Sequence, residues 1–139
     1  MNGYLHVAVH VSQRKGGCLI LEIPKIFESE YRFCEILWEY EPVSSGELVK
    51  LCKEKLEWKK STTYTVIRRL AERGVLKSEN AVVTSLVSRE EAQSRESTEV
   101  VERTFSGSLP GFIAAFTRNK PLSPEEADEI QKIIDTYKS

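Results

Sequence analysis

Trp58-Lys59-Lys60-Ser61-Thr62-Thr63-Tyr64-Thr65-Val66-Ile67-Arg68-Arg69-Leu70-Ala71-Glu72-Arg73-Gly74 decides the fold. Val66, Ile67 and Leu70 recur at helical spacing and can turn one face inward. Ser61, Thr62, Thr65, Arg68 and Arg69 point elsewhere. That second face carries short hydroxyls and two guanidinium groups, with no carboxylate before Glu72. Gly74 stands where a helix ends on a left-handed residue. From 57 to 77, six Lys/Arg (59, 60, 68, 69, 73, 77) stand against Glu57 and Glu72, a local charge of +4. Hydroxyls reach base edges, and guanidinium groups bind guanine or phosphate through two parallel hydrogen bonds. An ordinary amphipathic helix with a solvated polar face shows the same pattern. The flanking chain has to decide between the two.

With 139 residues, the chain is long enough for one compact domain, or a small domain and an accessory segment. Its net charge is −1, so any case for nucleic-acid binding must be local. The charge is uneven: 88–139 holds seven basic and ten acidic residues, a mildly acidic tail behind a basic segment. The longest apolar runs fall far short of the roughly twenty residues a membrane span needs. Cys18, Cys34 and Cys52 form no CxxC pair. Reduced, buried thiols in a cytoplasmic protein are the simplest account of them.

Residues 1–21 do not fit the rest. His6 and His10 have the spacing of two ligands on a helix, but flanking valines favour a strand and no carboxylate lies near, so no metal site is expected. Arg14-Lys15-Gly16-Gly17 is what a purine-rich ribosome-binding sequence gives when translated. The expectation is therefore an atypical leader over 1–21, with translation starting near 19–21.

Beyond it, a helix is predicted over 29–40, with Tyr31, Cys34, Leu37 and Trp38 inward and Pro42 ending it. Ser44 and Glu47 have capping-box spacing and open a second helix to residue 56, with Leu48, Cys52 and Leu56 on its buried side. A short connection over 57–60 leads into the helix quoted above. Two β-prone runs then flank Glu79-Asn80-Ala81, a tight turn in which Asn tolerates positive φ. Three short helices and a hairpin make a winged helix-turn-helix over 22–87. The wing carries little positive charge beyond Lys77.

Ser88 and Glu91 form a second box, opening a polar helix to residue 104 interrupted only by Ala92, Val100 and Val101. It reads as a solvated connector. Phe112, Ile113 and Phe116 make a short apolar face. Ser123, Pro124 and Glu126 start a last helix striped by Ala127, Ile130, Ile133, Ile134 and Tyr137. That stripe has no core within its own segment. A second copy of the chain is the expected cover, making 88–139 a helical dimerisation domain. Folding back onto the winged domain is the alternative.

These residues resemble the penicillinase and methicillin-resistance repressors (BlaI/MecI type) and the related copper-responsive repressors. The resemblance runs from Ile23 to about Lys138. It is carried by Ile23-Pro24, Leu37-Trp38, Glu47-Leu48, Trp58, Thr62, Thr65, Arg69-Leu70, Gly74 and Phe105-x-Gly107-x-Leu109 in this order and spacing. It implies a cytoplasmic transcriptional repressor, a homodimer on palindromic double-stranded operator DNA, with the helix over 60–73 in the major groove. It implies that Lys60 and Ser61 open that helix, that Thr62 and Thr65 read bases, and that Arg69 contacts the backbone. A sensor protein encoded nearby is a further implied partner. Three features depart from the pattern. The wing lacks the Gly-Arg and aromatic residues of better-known members. Ala115-Phe116 stands where antibiotic-responsive members are cleaved at Asn-Phe. The CxC pairs of copper-responsive members are missing, since no cysteine follows Cys52.

The expected function is thus a dimeric repressor binding DNA through Lys60, Ser61, Thr62, Thr65, Arg68 and Arg69. Its expected dimer interface is Phe112, Ile113, Phe116, Ile130, Ile133, Ile134 and Tyr137. The alternative is a winged-helix protein-interaction module without specific DNA binding. An enzyme is not expected. There is no Ser/His/Asp set and no Gly-rich phosphate loop, and no cofactor is implied. Glu90/Glu91 and Glu125/Glu126 fall in first helical turns, where they complement the helix dipole.

Overall fold

The computed structural model describes residues 22–139; the leader, the His6/His10 pair and Cys18 lie outside the described residues. The chain divides into two compact units, Met1–Glu99 and Val100–Ser139.

In the first unit the described elements are α1 (Glu28–Tyr40), β1 (Val43–Ser44), α2 (Ser45–Leu56), α3 (Lys60–Glu72), β2 (Leu76–Glu79) and β3 (Val82–Ser85). The first part of α4 (Arg89–Phe105) follows. The sheet is antiparallel in the order β1-β3-β2, with Val43 opposite Val83 and Leu76 opposite Ser85. The fold is a winged helix, as the helix and hairpin pattern predicts. The strand β1 escapes the sequence because two residues show no alternation.

The core lies between the three helices and the sheet. Phe33, Leu37, Leu48, Cys52, Leu70, Leu76 and Val83 are among its fully buried members, with Ile23 and Ile26 closing it from the N-terminal side. The α1 face is broader than predicted. Phe33 and Ile36 are buried, while Tyr31 and Trp38 are only half-buried. The reason is that α1 is covered on two sides. Phe33 stacks on Trp58 from the α2–α3 connection, with centroids 6.0 Å apart. Trp38 spans the rim, where its indole N–H donates to the Val87 carbonyl at 2.9 Å. On α2, Leu51 joins the predicted Leu48 and Cys52 as buried, and Leu56 is half-buried.

The ends of the helices follow their sequence signals. Ser44 Oγ accepts from the Glu47 N–H at 3.0 Å, while Ser44 itself belongs to β1. Gly74 has φ 81°, the Gly74 N–H donates to the Ala71 carbonyl and the Val75 N–H to the Leu70 carbonyl. This is a Schellman motif, and the apolar pair Leu70/Val75 that accompanies it is buried. The hairpin turn is Asn80-Ala81, with φ 52° and 62°. Positive φ at both central residues gives the two-residue turn whose twist suits a hairpin.

The first half of α4 corrects the reading of a solvated connector. Its Ser88/Glu91 box forms in both directions, at 3.0 and 3.2 Å. Ala92 and Glu91 are buried, and Lys25 Nζ pairs with Glu99 at 2.5 Å. A polar helix can pack in this way because its contacts include the Lys25–Glu99 ion pair, the Arg89 guanidinium 5.5 Å over the Trp38 ring and the small Ala92, rather than an apolar stripe.

The second unit contains the end of α4, then α5 (Leu109–Arg118) and α6 (Pro124–Tyr137). Ser108 caps α5 through the Gly111 N–H at 3.0 Å, and Ser123 caps α6 in a reciprocal box with Glu126. Phe105 and Phe112 meet edge to face at 5.5 Å. Neither α5 nor α6 has a buried residue.

Candidate nucleic-acid interface

Along α3 each residue turns roughly 100°. Thr63, Val66, Ile67 and Leu70 are buried and set the inward direction. The opposite, outward direction falls on Ser61, Thr65 and Arg68, with Glu72 at the far end. Thr62 and Arg69 lie on one flank, Lys60 and Tyr64 on the other. Lys60, Ser61, Thr62, Arg68 and Arg69 are exposed and Thr65 is half-buried. The structure therefore gathers all six predicted DNA-binding residues on the solvent side of one helix.

The electrostatics of this face differ from the plain charge count. Arg73 does not belong to it. Its guanidinium pairs with Glu30 at the start of α1 and lies 4.8 Å over the Phe27 ring. The Glu30 side chain is only 7% exposed, and its Oε1 also accepts from the Phe27 N–H at 3.0 Å. Lys77 pairs with Glu79 on the hairpin at 3.0 Å, so the wing is locally neutral. Lys59, Lys60, Arg68 and Arg69 remain, and none forms an ion pair with a described residue. The first turn of α3 has no acidic residue and Lys59 provides no side-chain cap. Its N–H groups and the positive end of the helix dipole thus face outward beside two lysines, a suitable seat for a phosphate.

Two contacts brace the elements packed around α3. The Glu41 carboxylate accepts from the Ser85 N–H at 2.7 Å and from the Ser85 hydroxyl at 2.8 and 2.9 Å, fixing the hairpin to the end of α1. Thr63 lies against the Cys52 thiol across the α2–α3 contact; burial pushes that thiol's pKa up, and the Thr63 hydroxyl acts against the rise. Burial likewise pushes the Cys34 thiol up to about 12, so neither is a reactive nucleophile at neutral pH. Among the described residues, no group of three His, Cys, Asp or Glu is placed to hold a metal ion.

The sequence reading missed Tyr64. It is 41% exposed, and Lys60 Nζ lies 6.0 Å from its ring centroid. The signal was available, since Tyr64 is four residues from both Lys60 and Arg68 on one ridge of the helix.

The predicted interface residues in the second unit are exposed or half-buried. Ile113 and Phe116 on α5 and Ile133, Ile134 and Tyr137 on α6 are exposed, Tyr137 at 75%. Phe112 and Ile130 are half-buried.

The fold is that of a winged helix-turn-helix protein. Residues 26–136 match the family described as the penicillinase repressor, and the chain belongs to that family. It is similar to the penicillinase repressor of Bacillus licheniformis, 24% identical over 85% of this chain and 95% of that one. It is also similar to the methicillin resistance regulatory protein MecI of Staphylococcus aureus, 23% identical over 80% of this chain and 94% of that one. An uncharacterised 16.5 kDa protein of Latilactobacillus sakei is 27% identical over 79% of this chain and 78% of its own length. The family is one of transcriptional repressors, not enzymes. No helix among the described residues is long and apolar enough to cross a membrane.

Proposed function

We propose that the protein represses transcription as a homodimer on a two-fold operator, with α3 of each protomer in the major groove. The observation that carries this reading is the outward face of α3, which combines hydroxyls with cations that no described carboxylate neutralises. Lys60, Arg68 and Arg69 neutralise phosphates or reach guanine, and the open first turn accepts a phosphate at Ser61 and Thr62. Thr65, on the outward face between Ser61 and Arg68, hydrogen-bonds a base edge. The DNA-binding domain extends beyond residue 87 through the start of α4 to Glu99, which packs on the winged unit, and Val100–Ser139 supply the dimerisation segment. Phe112, Ile113, Phe116, Ile130, Ile133, Ile134 and Tyr137 supply an apolar surface that two copies bury against each other.

The neutral Lys77/Glu79 wing favours the second reading, a protein-interaction module. A gel shift with duplex DNA from upstream of the protein's own gene separates the two. Retention of that duplex over a shuffled one, lost in Arg68→Ala with Arg69→Ala, supports the repressor. Equal retention of both duplexes by the native protein supports the module.

A further inference from the structure

We infer that Tyr64 is a specificity-determining residue whose ring reads the 5-methyl group of a thymine in each half-site. The inference rests on the proposed DNA binding by α3 and adds a base class to it. Every other residue exposed on the first three turns of α3 is charged or hydroxylic, or is the small Ala71 just beyond them. Tyr64 alone places a large apolar surface there, and it is open to solvent rather than committed to the core. The core has no use for it, since Thr63, Val66, Ile67 and Leu70 already fill the inward face.

Its surroundings fit a base contact. Lys60, Tyr64 and Arg68 follow one another at four-residue intervals, so a ring is bracketed by two cations on one ridge. Lys60 Nζ, 6.0 Å from the ring centroid, keeps the side chain standing beside the helix start. In a groove, the bracketing cations find phosphates and the ring between them meets base edges. The major-groove edge of B-DNA offers a single apolar group, the thymine methyl. A ring face against that methyl excludes water from both. The phenol hydroxyl is not needed for this contact, which separates it from a phosphate hydrogen bond.

The test starts from duplexes selected by the native full-length protein out of a randomised pool. Each thymine of the selected sequence is replaced by deoxyuridine, which removes only the methyl. The expected result is one symmetry-related pair of thymines whose replacement weakens native binding about fourfold for one half-site and roughly fifteenfold for both, the value of a buried methyl each time. Tyr64→Ala should bind thymine and deoxyuridine duplexes equally, and Tyr64→Phe should keep the native discrimination. Circular dichroism confirms that both variants are folded, as an exposed site allows. Discrimination that survives Tyr64→Ala overturns the assignment. So does Tyr64→Phe weakening binding as much as Tyr64→Ala, which would make the hydroxyl the contact. A native protein that enriches no sequence would overturn DNA reading by α3 as a whole; an enriched sequence indifferent to Tyr64 overturns this assignment alone.

Discussion

Replacing Arg73 by alanine isolates an ion pair that the structure places at the end of α3, with one partner buried. Arg73 joins the C-terminus of α3 to Glu30 at the start of α1, and Glu30 is 5% exposed. Removing one partner of a fully buried pair costs roughly 3–5 kcal/mol, because the remaining charge stays desolvated. Here the Arg73 side chain is 30% exposed, so water can enter the vacated side, and Glu30 keeps its bond from the Phe27 N–H. Both effects lower the expected loss for Arg73→Ala to about 2–3 kcal/mol, with the contact to Phe27 contributing roughly 0.5 of it. Glu30→Gln should cost less, about 1 kcal/mol, since the amide oxygen still accepts the Phe27 N–H. Urea unfolding followed by circular dichroism measures each variant and the double variant. A loss below roughly 0.5 kcal/mol for Arg73→Ala, the level of an exposed pair, would refute the argument from burial. A second readout concerns function. Where the variant is still folded, its DNA affinity should show the native salt dependence, because Arg73 is spent on Glu30. Arg69→Ala should reduce the slope of log K against log salt by about 0.9.

The other predictions are simpler. Ala81 is held at φ 62°, where a side chain is unfavourable, so Ala81→Gly should stabilise the protein by about 1 kcal/mol in the same unfolding assay. The Cys34 thiol has a folded pKa raised by burial to about 12 from 9.0, so the folded state holds its proton more firmly. Its contribution is complete below pH 9 and is lost as pH rises through the interval towards 12, at about 1.4 kcal/mol per unit. Cys34→Ala should flatten the decline of stability above pH 9 by that slope; an unchanged slope would remove the thiol from it. Ile130→Asp with Ile134→Asp places carboxylates on the proposed dimer surface, where burying an unpaired charge costs several kcal/mol. Sedimentation should then show a monomer whose circular dichroism is still helical, and a variant that stays dimeric would move the interface elsewhere.

Much of this architecture is written in short local signals. Ser88/Glu91, Ser123/Glu126, Gly74 and Asn80 each specify a cap or a turn by side-chain chemistry within four residues, and each is found in place. The outward face of α3 was legible for the same reason, since helical periodicity sorts Val66, Ile67 and Leu70 from Ser61, Thr62 and Arg68. What the sequence hid is what depends on distant partners. The burial of Phe33 needs Trp58 stacked on it from a different segment. The withdrawal of Arg73 from the basic count needs Glu30, 43 residues away in the chain; that of Lys77 needs only Glu79, two residues along β2, and was open to a local reading. The docking of the first half of α4 needs Lys25 opposite Glu99. The i, i+4 spacing of Lys60, Tyr64 and Arg68 was legible, but the 41% exposure of the ring between them was not.

Hydroxyl-radical footprinting of the native protein on a selected duplex tests the central claim most directly. Two copies of α3 related by a two-fold axis should protect two symmetry-related backbone tracts, their centres about 10 base pairs or a multiple of that apart. A single protected tract without internal symmetry, or no protection at concentrations where the protein is dimeric, would contradict a dimeric repressor reading DNA through α3.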